Sequence, residues 1–122
     1  MRQTSAMERQ IEAPVLALRV KEEERRLKSE PEWKSGTEDG ITLAKYPHMR
    51  VVLVALKRGH AMHEHSVKGP MSMYVVNGSV TLVVDHGEVR LGRDGLFTLR
   101  KAILHDVRAN SDAVLLLTIM AP

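Results

Sequence analysis

Two histidines that lie two residues apart, His63 and His65, have the residue type and spacing best suited to chemistry in this chain. Residues two apart in an extended strand project from the same face, so both imidazoles could hold one metal ion. His105 opens a stretch in which it alternates in phase with Val107 and Ala109, so we expect it to point inward as well. The sequence therefore predicts a three-histidine site for a divalent metal such as Fe, Zn, Ni or Mn. Three protein ligands would leave one coordination position open for water or substrate.

The dipeptide Asn77-Gly78, flanked by apolar runs, predicts a two-residue β-hairpin turn. Such a turn pairs Val75 with Val80, Met73 with Leu82 and Met71 with Val84. These six side chains would share one face, directed at the core. The predicted lining of an apolar pocket comprises Met71, Met73, Val80, Leu82 and Phe97. No carboxylate lies on this face to act as a fourth ligand, and a thioether is a poor ligand for a hard divalent ion.

The same three histidines also fit a polar pocket that binds no metal, and the residues leave both interpretations open. Two serines, Ser66 and Ser72, lie near them, but no arrangement of acid, base and nucleophile follows from the sequence. We assign no catalytic residue. His48 and His86 fall in predicted turns and are expected to be exposed without a function.

Composition narrows the class of protein. A chain of 122 residues fits one domain, and 43% hydrophobic with 27% charged residues is typical of globular proteins. The absence of cysteine excludes disulfides, thiolate ligands and a cysteine nucleophile. No apolar stretch reaches the ~20 residues of a membrane helix, and the charged N-terminus lacks a signal-peptide pattern. We therefore expect a cytoplasmic protein that uses no organic cofactor and does not bind a membrane. The net charge of +3 is spread among acidic residues, which argues against nucleic-acid binding.

The N-terminal third of the sequence has helical rather than strand periodicity. The stretch 14–29 predicts an amphipathic helix that begins at Pro14, with a charged, solvated face. Pro31 should end it, and Trp33 should follow in a loop and hold the arm against the main body. We therefore divide the chain into a helical arm, 1–32, and a β-barrel domain, 33–122.

Strand patterns recur after residue 40 about every 8 to 12 residues, separated by Gly, Asn and Asp turns, which is typical of an all-β sandwich or barrel. Two of these strands, 49–57 and 112–120, are apolar at consecutive positions, so both of their faces should be covered. The N-terminal helix can cover part of this surface. We expect a second copy of the chain to cover the rest, which predicts a homodimer.

The residues around the histidine pair resemble the first motif of the cupin superfamily. That motif has a glycine, an H-x-H pair, a glutamate, and a glycine that follows a strand rich in tyrosine and valine. Gly59, His63-Glu64-His65 and Gly78 match these positions. Met71 stands where the glutamate is expected.

A second cupin motif is matched in part. Gly95 and His105 occupy motif positions, whereas Arg100 and Ala102 replace the proline and glycine of the motif. The ending LHDVRANSDAVLLLTI closely resembles a group of small bacterial single-domain cupins. The resemblance extends over roughly residues 30–120.

This resemblance implies an all-β barrel of the jelly-roll type, preceded by a short helical arm, with a metal inside the barrel and a tendency to dimerise. It implies metal-ligand positions for His63, His65 and His105, as in cupin dioxygenases that use three histidines alone. The function implied is a metal-dependent enzyme that acts on a small organic molecule, such as a dioxygenase or isomerase. The alternatives are a metal-free cupin that binds or senses a small ligand, and a regulatory domain whose N-terminal helix contacts a partner.

Overall fold

The computed structural model describes residues 10–63, 69–101 and 103–120, and of His105 it describes the backbone only. In these ranges two short helices precede nine strands. The helices are α1 (Val20–Lys28) and α2 (Pro31–Ser35), and the strands are β1 (Glu38–Tyr46), β2 (Met49–Leu56), β3 (Ala61–Met62), β4 (Met71–Asn77), β5 (Val80–Val84), β6 (Gly87–Leu91), β7 (Leu96–Leu99), β8 (Leu104–Ala109) and β9 (Ala113–Met120). None of the described helices is long and apolar enough to cross a membrane.

The strands form two antiparallel sheets that face each other. One sheet has five strands in the order β1-β2-β9-β4-β7, and the other has four in the order β3-β8-β5-β6. Their inner faces enclose an apolar cluster, here called the barrel core. Its buried members are Val54, Leu56, Met62, Met71, Met73, Val75, Val80, Leu82, Leu99, Leu104, Val107, Ala109, Ala113, Leu115 and Leu117. The predicted all-β barrel with a short helical arm is confirmed.

Strands β2 and β9 are buried on both faces, as their continuous apolar sequences predict. In β2, Val54 and Leu56 enter the barrel core, whereas Leu53 and Ala55 point to the other side of the sheet. There they join a second cluster, here called the helix-side cluster, which lies under α1 and α2. Its buried members are Leu27, Trp33, Ile41, Leu43, Leu53, Ala55, Val76 and Val114. The chain's own helices therefore cover these positions, and a second copy is not needed to bury them.

Helix α1 begins at Val20, so the predicted start at Pro14 is wrong. The preceding residues lie alongside the edge of β1 instead. The backbone N–H of Lys45 donates to the carbonyl of Ile11 at 2.8 Å, and the Tyr46 hydroxyl donates to the carbonyl of Ala13 at 3.0 Å. Because these carbonyls are bonded to the sheet, the backbone gains more from the sheet edge than from extending the helix.

Trp33 lies in α2 rather than in a loop, with Pro31 at the first helical position, where its missing N–H costs nothing. The predicted boundary after residue 32 falls inside this helix. The Trp33 side chain is buried in the helix-side cluster, and Lys57 Nζ lies 4.3 Å from the ring centroid. This packing confirms that Trp33 holds the arm against the sheet, with a cation–π contact on its face.

The segment Asn77-Gly78 does not form the predicted hairpin. Strand β4 pairs with β7 and β9, and β5 pairs with β6 and β8, so the segment joins the two sheets at a corner. Gly78 has φ of +83°, and a Cβ there would overlap the Asp112 carbonyl oxygen and approach Ala113 Cα to 2.8 Å. The predicted pairs Val75–Val80, Met73–Leu82 and Met71–Val84 are therefore wrong. All six side chains nevertheless face the barrel core, because alternation along each strand sets that direction.

Candidate functional site

The pairing of β3 with β8 brings the histidine-containing segment to the strand that carries His105. Ala61 pairs with Arg108, and Met62 pairs with Val107. Because the two strands are antiparallel, the residue that follows Met62 lies beside Asp106, the neighbour of His105 in β8. Two segments separated by about forty residues in the sequence therefore meet at one end of the four-stranded sheet.

His105 lies at a β-bulge. Val83 pairs with Asp106 and Val84 pairs with Leu104, which leaves His105 as the extra residue of β8. Bulges of this kind bend a strand, re-aim a side chain and occur frequently beside active sites. The direction of the His105 side chain lies outside the described structure, so its inward orientation stays a prediction.

His63 contacts the outer side of the four-stranded sheet. Its side chain is 61% exposed, and its Nδ1 atom lies 2.6 Å from Oδ1 of Asp106. Asp106 alternates with Val107, which is completely buried in the barrel core, so the carboxylate belongs to the opposite face. Met62 takes the inward position next to Val107, and the following residue then falls on the other face. This contact differs from the inward direction expected from the sequence.

The contact between His63 and Asp106 is close but irregular. A nitrogen and a carboxylate oxygen at 2.6 Å have the separation of a short charge-assisted hydrogen bond. Asp106 Oδ1 is buried, yet it makes no hydrogen bond of regular geometry in the described part of the chain. The two atoms are therefore close neighbours whose contact lacks the geometry of a formed hydrogen bond. Sequence reasoning missed Asp106 as a site residue, and its position next to His105 was the available signal.

The other predicted ligand, His65, lies outside the described residues, together with Glu64 and Ser66. Ser72 is described, and it alternates with Met71 and Met73, which face the barrel core. It therefore points away from the interior. The convergence of the three histidines stays a prediction.

The five residues predicted to line a pocket lie together around the barrel core. Four of them are at most 3% exposed, and Phe97 packs against them while partly buried. Met73 and Phe97 are neighbours on paired strands. Met71, at the position of the expected glutamate, directs its thioether into this apolar interior. Their role in binding a ligand stays a prediction.

Among the described side chains, a group of three carboxylates, rather than the histidines, lies within metal-binding distance of one another. One carboxylate oxygen each from Glu30, Glu32 and Asp39 lies within 4.8 Å of the others. These residues lie on α2 and β1 and at the turn before α2, away from the predicted histidines in the sequence. Each also has other interaction partners, so their proximity alone does not define a cation site.

The residues fit a divalent metal by their donor chemistry. Imidazole nitrogen is a ligand for Fe, Zn and Ni, and a metal-bound imidazole generally donates its second N–H to a carboxylate. The side chain of His63 contacts Asp106 on the outer face of the four-stranded sheet, so the fit to a metal follows from the type of donor and not from the described geometry. Within the described side chains no carboxylate of the barrel core accompanies the imidazoles, so the ligand set would be nitrogen alone.

Solved structures identify the fold, whereas sequence comparison does not. No protein-family model matches the chain, and no curated protein matches it. A cupin superfamily protein from Desulfitobacterium hafniense is 13% identical with a TM-score of 0.66, over 70% of this chain and 78% of that one. A conserved protein of unknown function from Streptococcus pyogenes is 18% identical with a TM-score of 0.66, over 100% and 96%. A variant of salicylate 1,2-dioxygenase from Pseudoaminobacter salicylatoxidans is 16% identical with a TM-score of 0.75, over 98% and 38%.

These similarities show that the chain has the cupin fold, a jelly-roll β-barrel. The resemblance seen in the sequence motifs is confirmed at the level of the fold. At these identities the likeness does not extend to activity, and the chain spans little more than a third of the dioxygenase.

Proposed function

We propose that this protein is a small-molecule cupin with a divalent metal site built from His63, His65 and His105, at the end of the barrel where β3 pairs with β8. The register between β3 and β8 carries this proposal, because it brings two distant segments together at a bulge. The fold it shares with a dioxygenase is consistent with a metal-dependent role on a small organic molecule.

In this proposal the three imidazoles hold the metal, and the chain's apolar residues shape the space beside it. A bound divalent metal would supply Lewis acidity toward a substrate oxygen or a position for activating oxygen. Met71, Met73 and Phe97 would exclude water and contact the apolar part of the substrate. A neutral ligand set would leave the metal's positive charge uncompensated by protein, which favours an anionic or oxygen-rich substrate.

The second candidate is a cupin that binds a small apolar ligand without a metal. Two observations favour it: Met71 places a thioether where a carboxylate ligand is expected, and the His63 ring contacts Asp106 on the outer face. In that case the histidines would be polar residues at the mouth of an apolar barrel.

Elemental analysis of untagged protein, purified without chelators, distinguishes the two candidates. We expect one equivalent of a divalent metal per chain in the wild type and its loss in His105→Ala. His86→Ala is the matched control, because His86 is exposed and has no assigned role. Metal at background level in the wild type would contradict the metal site and support the metal-free candidate. Circular dichroism of each variant verifies that the barrel is folded.

The homodimer stays a prediction, and we propose it on narrower grounds than the sequence suggested. The helices already cover Leu53 and Val114. Among the large apolar side chains of the described residues, Val15 and Leu96 are the most exposed, at 82% and 62%, and of these Leu96 lies on the edge strand β7. Sedimentation equilibrium of the wild type and Leu96→Asp tests this. A dimer that the variant disrupts supports the proposal, and a monomeric wild type contradicts it.

A further inference from the structure

We propose that Lys45 and Arg50 form an anion-binding site at the end of the barrel next to the turn between β1 and β2. It would take the carboxylate or phosphate of a small, otherwise apolar molecule. The two residues are Cα partners on these neighbouring strands. The inference rests on the small-molecule role proposed above, of which it names the ligand class. It does not depend on whether the protein holds a metal.

Arg50 belongs to the face of β2 that is directed at the barrel core. Val52 packs against that core, and β2 pairs with β9 without an irregularity, so Arg50, two residues earlier, has the same direction. Its partner on β9 is Ile119, which also packs against the core, and the partner of Ile119 on β4 is Met71. One inward row thus leads from Arg50 to the buried Met71, over two strand spacings of about 10 Å in total.

The two cations lie side by side without an acidic partner. Both side chains are exposed, and the ion pairs among the described residues involve neither Lys45 nor Arg50. Glu12 lines an adjoining hollow together with Lys45, but no ion pair joins the two in the part of the chain that the structure describes. Like charges directly opposite each other on two strands repel and destabilise a sheet. A bound anion would replace this repulsion by attraction, which favours a binding site over an ordinary solvated pair.

A hollow of about 220 Å³ lies beside this pair. It is lined by both cations, by Tyr46 and Pro47 where β1 ends, and by Met49 and Ile119. The volume is below the roughly 300–1,000 Å³ typical of sites for drug-sized ligands, which favours a smaller molecule. The guanidinium presents two parallel N–H groups that match the two oxygens of a carboxylate or phosphate, and the ammonium adds a second positive charge. The apolar side chains would contact the rest of the ligand.

Titration with probes that share one apolar chain tests the site: hexanoate, hexyl phosphate and the neutral hexanol. ¹H–¹⁵N correlation spectra of the whole chain, treated with a chelator, follow each titration. We expect both anions, but not hexanol, to shift the amide signals of Lys45, Arg50 and Ile119 in a saturable manner. The anion that binds more tightly then identifies whether the site prefers a carboxylate or a phosphate.

A matched pair of variants assigns the binding to this site. Arg50→Gln removes the charge but keeps much of the side chain, and it should weaken binding of the preferred anion about 10-fold or more. Arg58→Gln is the control, because Arg58 is exposed just beyond the other end of β2 and does not line the hollow. It should leave the affinity unchanged. Urea unfolding verifies that both variants fold, and Lys45→Gln supplies a second variant at the site.

Three results would overturn the inference: equal binding of hexanol, no binding of either anion, or an affinity that Arg50→Gln reduces no more than Arg58→Gln does. Anion binding that depends on Arg50, in a protein whose metal content is at background level, would support this site while contradicting the proposed metal site. Stoichiometric metal in a protein whose anion affinity does not depend on Arg50 would support the metal site and refute this one.

Discussion

The two sheets of the barrel share one core but differ on their outer faces. The five-stranded sheet is covered on its outer side by α1 and α2, and residues such as Leu53 and Val114 are completely buried there. The four-stranded sheet has no such cover in the described structure. Its strand β6 is exposed along most of its length, and its outer face carries Asp106 and Arg108. A sheet buried on both faces admits only apolar residues, whereas a sheet with an open face can carry polar groups.

This difference suggests a division of roles. Burial of apolar area contributes about 25 cal/mol per Å², so the sheet with two apolar clusters contributes most of the stability. The other sheet provides the end of β3, which precedes His63, and the bulge at His105. The predictions below test this division, from the largest expected effect to the smallest.

The largest effect is expected from removing a side chain between the helices and the five-stranded sheet. Leu27 on α1 is completely buried, so Leu27→Ala should lower the free energy of unfolding by about 3 kcal/mol. Leu96→Ala makes the same chemical change at a position on β7 that is 62% exposed, and it should cost about 0.5 kcal/mol or less. Urea unfolding, followed by circular dichroism and by the fluorescence of Trp33, measures both. Equal costs would show that the helices add little to the sheet.

The corner between the sheets should be less tolerant than a turn within one sheet. Gly78 and Gly87 both have positive φ, +83° and +144°, but a Cβ at Gly78 would overlap the chain at Asp112, whereas at Gly87 it meets nothing within 4 Å. Gly78→Ala should therefore cost about 2 kcal/mol more than Gly87→Ala, because it adds overlap to backbone strain. Thermal and urea unfolding of the two variants supply the comparison. Similar losses of unfolding free energy in the two variants would mean that backbone strain alone, without overlap, determines the cost.

A smaller effect is expected where α1 contacts the corner. Glu24 is 8% exposed and accepts a hydrogen bond from Asn77 Nδ2 at 3.3 Å, with Lys28 Nζ at 3.5 Å. Glu24→Ala should cost about 1 kcal/mol, the usual contribution of one such hydrogen bond. Glu22→Ala, on the exposed side of the same helix, should cost about 0.3 kcal/mol or less. A Glu24→Ala variant as stable as Glu22→Ala would show that this contact does not help to fix the corner.

The smallest effect concerns the exposed edge of the five-stranded sheet and depends on pH. The Tyr74 hydroxyl donates to Asp94 at 2.5 Å, and this hydrogen bond, with burial and the nearby negative charge, raises the pKa of Tyr74 above 10.0. The folded state thus holds the phenol proton more tightly than the unfolded state. The resulting stabilisation is present below pH 10 and is lost as pH rises through the folded-state pKa.

Absorbance at 295 nm follows this titration. We expect one tyrosine to ionise at higher pH than usual, and Tyr74→Phe rather than Tyr46→Phe to remove that transition. In Asp94→Asn the pKa of Tyr74 should fall back toward 10.0. A transition that survives in Tyr74→Phe would show that the bond to Asp94 does not hold in solution.

Much of the fold could be predicted because strand patterns are local. The recurrence of strands after residue 40 was predicted from alternation and from continuous apolar runs, and the double burial of β2 and β9 followed from the latter. The six residues flanking the corner were assigned to the core correctly even though their pairing was wrong. Alternation along a strand depends only on the backbone geometry of that strand.

The site was less predictable, because it depends on pairing between strands that are distant in the sequence. His63 was expected to share an inward face with His65. In the structure Met62 takes the place opposite Val107, which leaves His63 on the other face. The turn sequence Asn77-Gly78 satisfies the backbone of a hairpin and of a corner equally well. Likewise, the start of α1 depends on hydrogen bonds from the distant strand β1.

The amino-acid sequence by itself determined which segments of this protein become strands, which of their faces are apolar, and which residue types are available for chemistry. Only the tertiary structure decided which strands pair, that Asn77-Gly78 joins two sheets, and that Asp106 meets His63. The first set follows from periodicity within a few residues. The second depends on competition among distant segments for the same hydrogen bonds and the same buried surface.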